Sequence, residues 1–233
     1  HTRYWRDWSS DVCSSDLLMA APDPRLVASG PHGSLPRIAR DGARPADIYA
    51  RPAGLDTRLP PGAPRLALVV NGLPKSPMSM NDFFLEDKIP ELVLELRRSH
   101  FEVIVITNQP EIARGKLSTN TLQVMHEKIR KVCGIEHFYI CPHDDGVCTC
   151  RKPLPGLIFQ AQADFGLDLK SSFLIGDRWK DIEAANSAGC RSVWIDRGYE
   201  EKAPLNYDYR AKSLLEAIAF ILNWRREHNQ NIK

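Results

Sequence analysis

At 233 residues, 43% of them apolar, the chain is long enough for one ordinary domain with a real core and a tail. Its 31 basic and 29 acidic side chains leave a net charge of +2, which gives no argument for nucleic acid or a membrane surface as partner. No run of about 18 apolar residues occurs, so no bilayer-spanning helix is expected.

Residues 1–17, HTRYWRDWSSDVCSSDL, lack the basic start and apolar run of a signal peptide and resemble translated adapter sequence. They are set aside from the fold. Residues 21–65 hold nine of the 17 prolines, many Ala, Gly and Arg, and no apolar period. Such a stretch buries too little to offset its ordering entropy, so residues 1–65 are expected to be a disordered or artefactual extension. Patterned sequence begins at Leu66, and 66–233 is expected to be the folded domain.

From there LALVV (66–70) is a buried-strand candidate, and residues 87–99 set Ile89, Leu92, Val93 and Leu96 at helical spacing. FEVIVIT (101–107) reads as a β-branched strand. Residues 119–132 predict a helix with Leu122, Met125, Ile129 and Val132 on one face, Ser118 as N-cap and Gly134 as stop. HFYIC (137–141) is a strand, 156–165 a helix with Ile158, Ala161 and Phe165 on one face, and SSFLIGD (171–177) a strand ending in Gly-Asp. A short helix over 179–188, a strand RSVWID (191–196) and a helix over 213–226 complete the domain. Strict alternation of strand and helix predicts a doubly wound, Rossmann-like α/β fold with a parallel sheet. Ligands of such folds bind beyond the carboxyl ends of the strands. At those ends stand Thr107-Asn108-Gln109, a cysteine-rich loop followed by Arg151-Lys152, and Gly176-Asp177.

The loop CPHDDGVCTCRKP (141–153) places Cys141, His143, Cys148 and Cys150 within ten residues. Three thiolates and an imidazole are the soft and borderline donors that Zn²⁺ takes in a tetrahedron, and four protein ligands make a closed, structural site. The competing reading is free thiols on a mobile loop. Clustered cysteines suit a metal better than a disulfide framework, and the cytoplasm is the simplest compartment for them. Cys133 and Cys190 read as small apolar positions.

Around the loop, Thr107 offers a hydroxyl at a strand end. Lys152 brings a point charge for a phosphoryl group, and Arg151 a forked donor beside it. Asp177 is a carboxylate suited to Mg²⁺, and Asp181 lies one helical turn on. Each residue alone has an ordinary alternative: strand end, surface charge, helix cap. Three successive strand ends together point to one anion site.

ITNQPEIARG (106–115), CPHDDGVCTCRKPLPG (141–156) and LIGDRWKDIEAANSAGC (174–190) resemble the haloacid dehalogenase (HAD) superfamily. The nearest likeness is to its zinc-loop (IIIA) branch of heptose-bisphosphate and histidinol-phosphate phosphatases. The resemblance covers about residues 66–200. It implies a HAD-like fold with a zinc-binding loop insertion and a cytoplasmic phosphoric monoester hydrolase. By the resemblance Thr107, Asn108, Gln109, Arg114, Arg151 and Lys152 bind the phosphosugar, Asp177 ligates Mg²⁺, and Cys141, His143, Cys148 and Cys150 ligate Zn²⁺. The implied partner is a small phosphosugar, with no nucleic acid or membrane, and the chain is expected to be a monomer.

The family's reaction also needs an Asp-x-Asp-Gly at the end of the first strand. One aspartate attacks phosphorus, and the other protonates the leaving oxygen and then activates water. This chain has no such motif. With LALVV as first strand, the two positions fall on Val69 and Asn71, before Gly72. In a second register, counted back from PKSPMSMNDF (74–83), they fall near Leu59 and Pro61. Neither register supplies a carboxylate pair. The chain is therefore expected to hydrolyse little, either as a non-catalytic phosphosugar binder or because residues 1–65 replace the true motif.

Overall fold

The computed structural model describes residues 16–22, 68–70, 73–85 and 88–229. Most of the 1–65 extension, and the Leu59/Pro61 register with it, lies outside the described residues, as does Asn71. Strand β1 (Asp16–Pro22) is followed by β2 (Leu68–Val70) and β3 (Leu73–Lys75), then helix α1 (Ile89–Arg98) and strand β4 (Glu102–Asn108). The short helix α2 (Pro110–Ala113), helix α3 (Thr119–Cys133) and strand β5 (His137–Cys141) lead to the cysteine loop. Beyond it come α4 (Gly156–Phe165), β6 (Leu167–Gly176), α5 (Trp179–Ala188), β7 (Arg191–Ile195), β8 (Tyr209–Ala211) and α6 (Leu214–Asn229).

The main sheet has six strands in the order β5-β4-β1-β6-β7-β8. β4 and β5 pair in parallel, as do β6 with β7 and β7 with β8. Alternate residues of the central strands feed two cores, as the period-2 strand geometry requires. Val103, Val105, Phe173, Ile175 and Val193 pack under α1, α3 and α6. Ile104, Ile106 and Leu174 pack under α4 and α5. Helices thus cover both faces, which is the doubly wound arrangement the alternation predicts.

Two expectations need correction. The sheet is mixed, because β1 occupies its central slot and runs antiparallel to both neighbours, with Asp16 in register with Ile106 and Leu17 with Ile175. Nor is LALVV the first strand of that sheet. Among the described residues Leu68–Val70 pairs with Leu73–Lys75, as a separate two-stranded sheet in register Val70–Leu73. Asn71-Gly72 between the two arms is the strongest short hairpin signal a sequence offers, and it outweighs the apolar run before it.

Local chemistry explains the helices that frame the site. Ser118 Oγ accepts from Thr121 N at 2.9 Å at the start of α3, and Gly134 closes the helix at φ 69°, a conformation that favours glycine. On α3 the apolar face ends with buried Cys133, while Val132 is 39% exposed, contrary to the sequence reading. Burial pushes the Cys133 and Cys190 thiols up to about 12, consistent with their reading as small apolar residues. Among the described residues no helix is long and apolar enough to cross a membrane.

Candidate phosphate and metal site

The carboxyl ends of β4 and β6 and the end of the cysteine loop meet at Lys152. Its side chain is 3% exposed, and Nζ lies 3.0 Å from Asp181 Oδ1 and donates to the Ile106 carbonyl at 3.1 Å. Asp181, 2% exposed, accepts from the Arg178 amide at 2.9 Å through its other oxygen, which fastens the first turn of α5. Gly176 makes this possible: a Cβ there would lie 2.3 Å from Asp181 Cβ. The cation is therefore held by strand β4 on one side and by the β6–α5 turn, which carries Asp177, on the other.

Asn108 fixes the lysine's backbone. Its Nδ2 donates to Lys152 O and its Oδ1 accepts from Lys152 N, both at 3.1 Å. Thr107 is fully buried and accepts from Gln109 Nε2 at 3.2 Å. The Gln109 amide donates to the Cys141 carbonyl at 2.7 Å and so ties the end of β4 to the start of the cysteine loop.

Arg151 is also buried, with its fork turned to the loop. Nε donates to Asp145 Oδ1 at 2.6 Å and Nη1 to the His143 carbonyl at 3.0 Å. Arg114 stands at the loop's outer side. It grips both oxygens of Asp144 at 3.0 and 2.6 Å and reaches Glu111 at 2.7 Å. The guanidinium beside it holds the Asp144 carboxyl down at about 2. Thr107, Asn108, Lys152, Asp177 and Asp181 thus share one end of the sheet, whereas Arg151 holds the cysteine loop closed on itself and Arg114 ties that loop to the segment after β4.

The four loop donors converge. Cys141 Sγ is 3.6 Å from both His143 Nδ1 and Cys148 Sγ, and Cys150 Sγ is 3.5 Å from His143 Nδ1 and 3.3 Å from Cys148 Sγ. A tetrahedron with metal–sulfur bonds of about 2.3 Å and metal–nitrogen bonds of about 2.0 Å has edges of about 3.8 Å between sulfurs and about 3.5 Å between sulfur and nitrogen. The observed spacings match within about half an ångström, so this donor set could hold a metal ion.

Sequence reasoning missed the clasp on Asp177. Trp194 Nε1 donates to its main-chain carbonyl at 3.3 Å, and the Tyr199 hydroxyl donates to Oδ2 at 2.7 Å. Glu201 grips Arg178 through two contacts, at 3.1 and 2.7 Å. Burial, reinforced by the Asp177 charge, raises the Tyr199 phenol's pKa, so it remains a donor. Asp177, Trp194, Tyr199 and Glu201 line a small cleft of about 80 Å³, open to solvent.

Comparison with known proteins places this geometry. The chain is 35% identical over 139 residues to a D-glycero-alpha-D-manno-heptose-1,7-bisphosphate 7-phosphatase of Photorhabdus laumondii, spanning 54% of this chain and 76% of that relative. The HAD-hydrolase-like family model also matches residues 149–219. The chain belongs to the HAD hydrolase family. A D-glycero-beta-D-manno-heptose-1,7-bisphosphate 7-phosphatase of Bordetella bronchiseptica is 33% identical over 119 residues, 48% of this chain. The chain spans about two thirds (66%) of that relative's length. A crystal structure of D,D-heptose 1,7-bisphosphate phosphatase from B. bronchiseptica, complexed with magnesium and phosphate, superposes with a TM-score of 0.57 at 25% identity. That match covers 63% of this chain and 88% of the other, so the HAD fold is shared across most of its length.

Proposed function

We propose that this HAD-family chain holds a phosphorylated sugar at the end of its sheet, D-glycero-D-manno-heptose 1,7-bisphosphate first among the candidates. The observation that carries this is the buried Lys152, aimed by Asp181, Asn108 and the Ile106 carbonyl at the junction of three chain segments. Burying a lysine is expensive unless it is paired and oriented, and a positioned cation at strand ends is what a phosphoryl group needs. Thr107 and Arg151 flank it. Asp177 would hold Mg²⁺, which is commonly bound by one or two carboxylates together with waters and substrate phosphate. When bound, that ion would neutralise charge on the phosphoryl oxygens.

Cys141, His143, Cys148 and Cys150 would hold a structural zinc. Through Arg151 and Arg114 the loop would then be braced against the site. Thiolate ligands of this kind suit a reducing compartment, which favours the cytoplasm.

One observation favours a second reading, binding without turnover. Val69 pairs with Pro74 in a two-stranded sheet separate from the main one, and the sequence contains no Asp-x-Asp. The hairpin supports the second register, in which the first motif would fall upstream near Leu59 and Pro61. Strand β1 and the segments downstream of Leu66 would then form the phosphate-handling domain without its nucleophile.

The test is phosphate release from the heptose bisphosphate and from histidinol phosphate with Mg²⁺, beside calorimetric binding of each. Binding without release is the expected result. Turnover lost in Asp177→Ala would replace the non-catalytic reading with the enzyme, and no binding of either compound would refute the phosphosugar site. Elemental analysis should find about one zinc per chain, lost in Cys148→Ser together with stability.

A further inference from the structure

The contacts around Asp177 come from a part of the chain outside the phosphate-handling motifs. Trp194 is the penultimate residue of β7, and Tyr199 and Glu201 lie in the loop that follows it. The indole holds the Asp177 main chain and the phenol holds the carboxylate, at 3.3 and 2.7 Å. The Arg178–Glu201 pair, with side chains 10% and 14% exposed, fastens the next residue to the same loop. Lys202 lies 3.5 Å from the centre of the Trp179 ring, which adds a third tie between this loop and the start of α5. A loop with these contacts does more than connect β7 to β8. It sets the orientation of one carboxylate.

We propose that Tyr199 is a positioning residue for a divalent cation, its hydroxyl fixing the plane of the Asp177 carboxylate so that the group meets the ion without reorganising. The inference rests on the assignment of Asp177 to Mg²⁺ above. Groups that orient a metal ligand in this way change metal affinity by about 10- to 100-fold when removed. The effect is specific to the hydroxyl: Tyr199→Phe keeps the ring and its packing.

The experiment is a titration of the purified full-length chain with Mn²⁺, a paramagnetic stand-in for Mg²⁺, in the presence of inorganic phosphate, with free ion read by electron paramagnetic resonance. Four proteins are compared: wild type, Asp177→Asn, Tyr199→Phe and Tyr209→Phe. Tyr209 also donates its hydroxyl to a carboxylate, Glu216, at 2.9 Å, and serves as the control for simple loss of a phenol. Expected are loss of binding in Asp177→Asn, a dissociation constant raised about tenfold or more in Tyr199→Phe, and no change in Tyr209→Phe. Melting temperatures are recorded alongside, because a merely structural tyrosine would lower them and leave Mn²⁺ affinity unmoved. That result, with Asp177→Asn inactive in binding, overturns the role of Tyr199 alone. Unchanged binding in Asp177→Asn, or none in the wild type, overturns the Asp177 assignment and this inference with it.

Discussion

Replacing Lys152 by methionine removes the charge at the centre of the site while roughly keeping the volume. The consequence follows from burial. Lys152 and Asp181 are 3% and 2% exposed and 3.0 Å apart, so the Asp181 carboxylate would remain buried after losing its cation. Breaking a buried pair from one side destabilises by about 3–5 kcal/mol, mostly through the charge left behind. Lys152 Nζ also satisfies the Ile106 carbonyl, and losing that bond places the expected value at the upper end, about 5 kcal/mol. The partner substitution Asp181→Asn keeps an acceptor for the Arg178 amide. The double variant should therefore recover about 2–3 kcal/mol of the sum of the single effects. Urea unfolding of the four proteins measures this, with stability taken from midpoint and slope together. A Lys152→Met effect below about 1 kcal/mol, or additive single effects, would refute the claim that this buried pair organises the site.

Acid should weaken the fold through His126, which is buried, stacked 4.4 Å from the Phe138 ring, and held down to about 4 by burial and then by the Arg130 charge. Below about 6.5 the unfolded chain takes up a proton that the folded chain refuses, so stability is full above that pH and falls as the pH drops towards 4. Roughly 2 kcal/mol should be lost across that window after allowance for solvent screening, and the difference between wild type and His126→Gln in urea unfolding from pH 7 to 4 should show it. Gly176→Ala should destabilise by about 3 kcal/mol, because the new methyl would lie 2.3 Å from Asp181 Cβ. It should also weaken phosphate binding by displacing Asp181 from Lys152, both being measurable by thermal unfolding and calorimetry.

The elements legible from the sequence were those written in local chemistry. α5 spans Trp179–Ala188 as read, and α3 begins after Ser118 and ends at Gly134 because cap and stop lie within the segment itself. The one misplaced residue on α3, Val132, shows how the apolar stripe steps from Ile129 by four residues to Cys133 rather than by three. β1 could not be read, since only long-range pairing with β4 and β6 makes Asp16–Pro22 a central strand. At the site, residue types at strand ends marked Thr107, Asn108, Lys152 and Asp177. Their partners were not marked. Asn108 binding the Lys152 backbone 44 residues away, or Tyr199 reaching Asp177 across 22, leaves no periodic trace.

Under the proposed function, phosphate holding can outlast chemistry. Lys152 is aimed by β4, the cysteine loop and the β6–α5 turn, and every one of those contacts lies downstream of residue 105. The Asp-x-Asp that would supply an attacking carboxylate is absent from the sequence. On the non-catalytic reading the cation keeps these three contacts although the nucleophile is missing. Phosphate affinity should survive where turnover does not, and restoring aspartates at 69 and 71 should leave turnover unchanged, because Val69 pairs with Pro74 in a two-stranded sheet separate from the one whose Ile106 carbonyl holds Lys152. Appreciable phosphate release by a Val69→Asp/Asn71→Asp variant would show that this hairpin, and not an upstream segment, carries the reactive position.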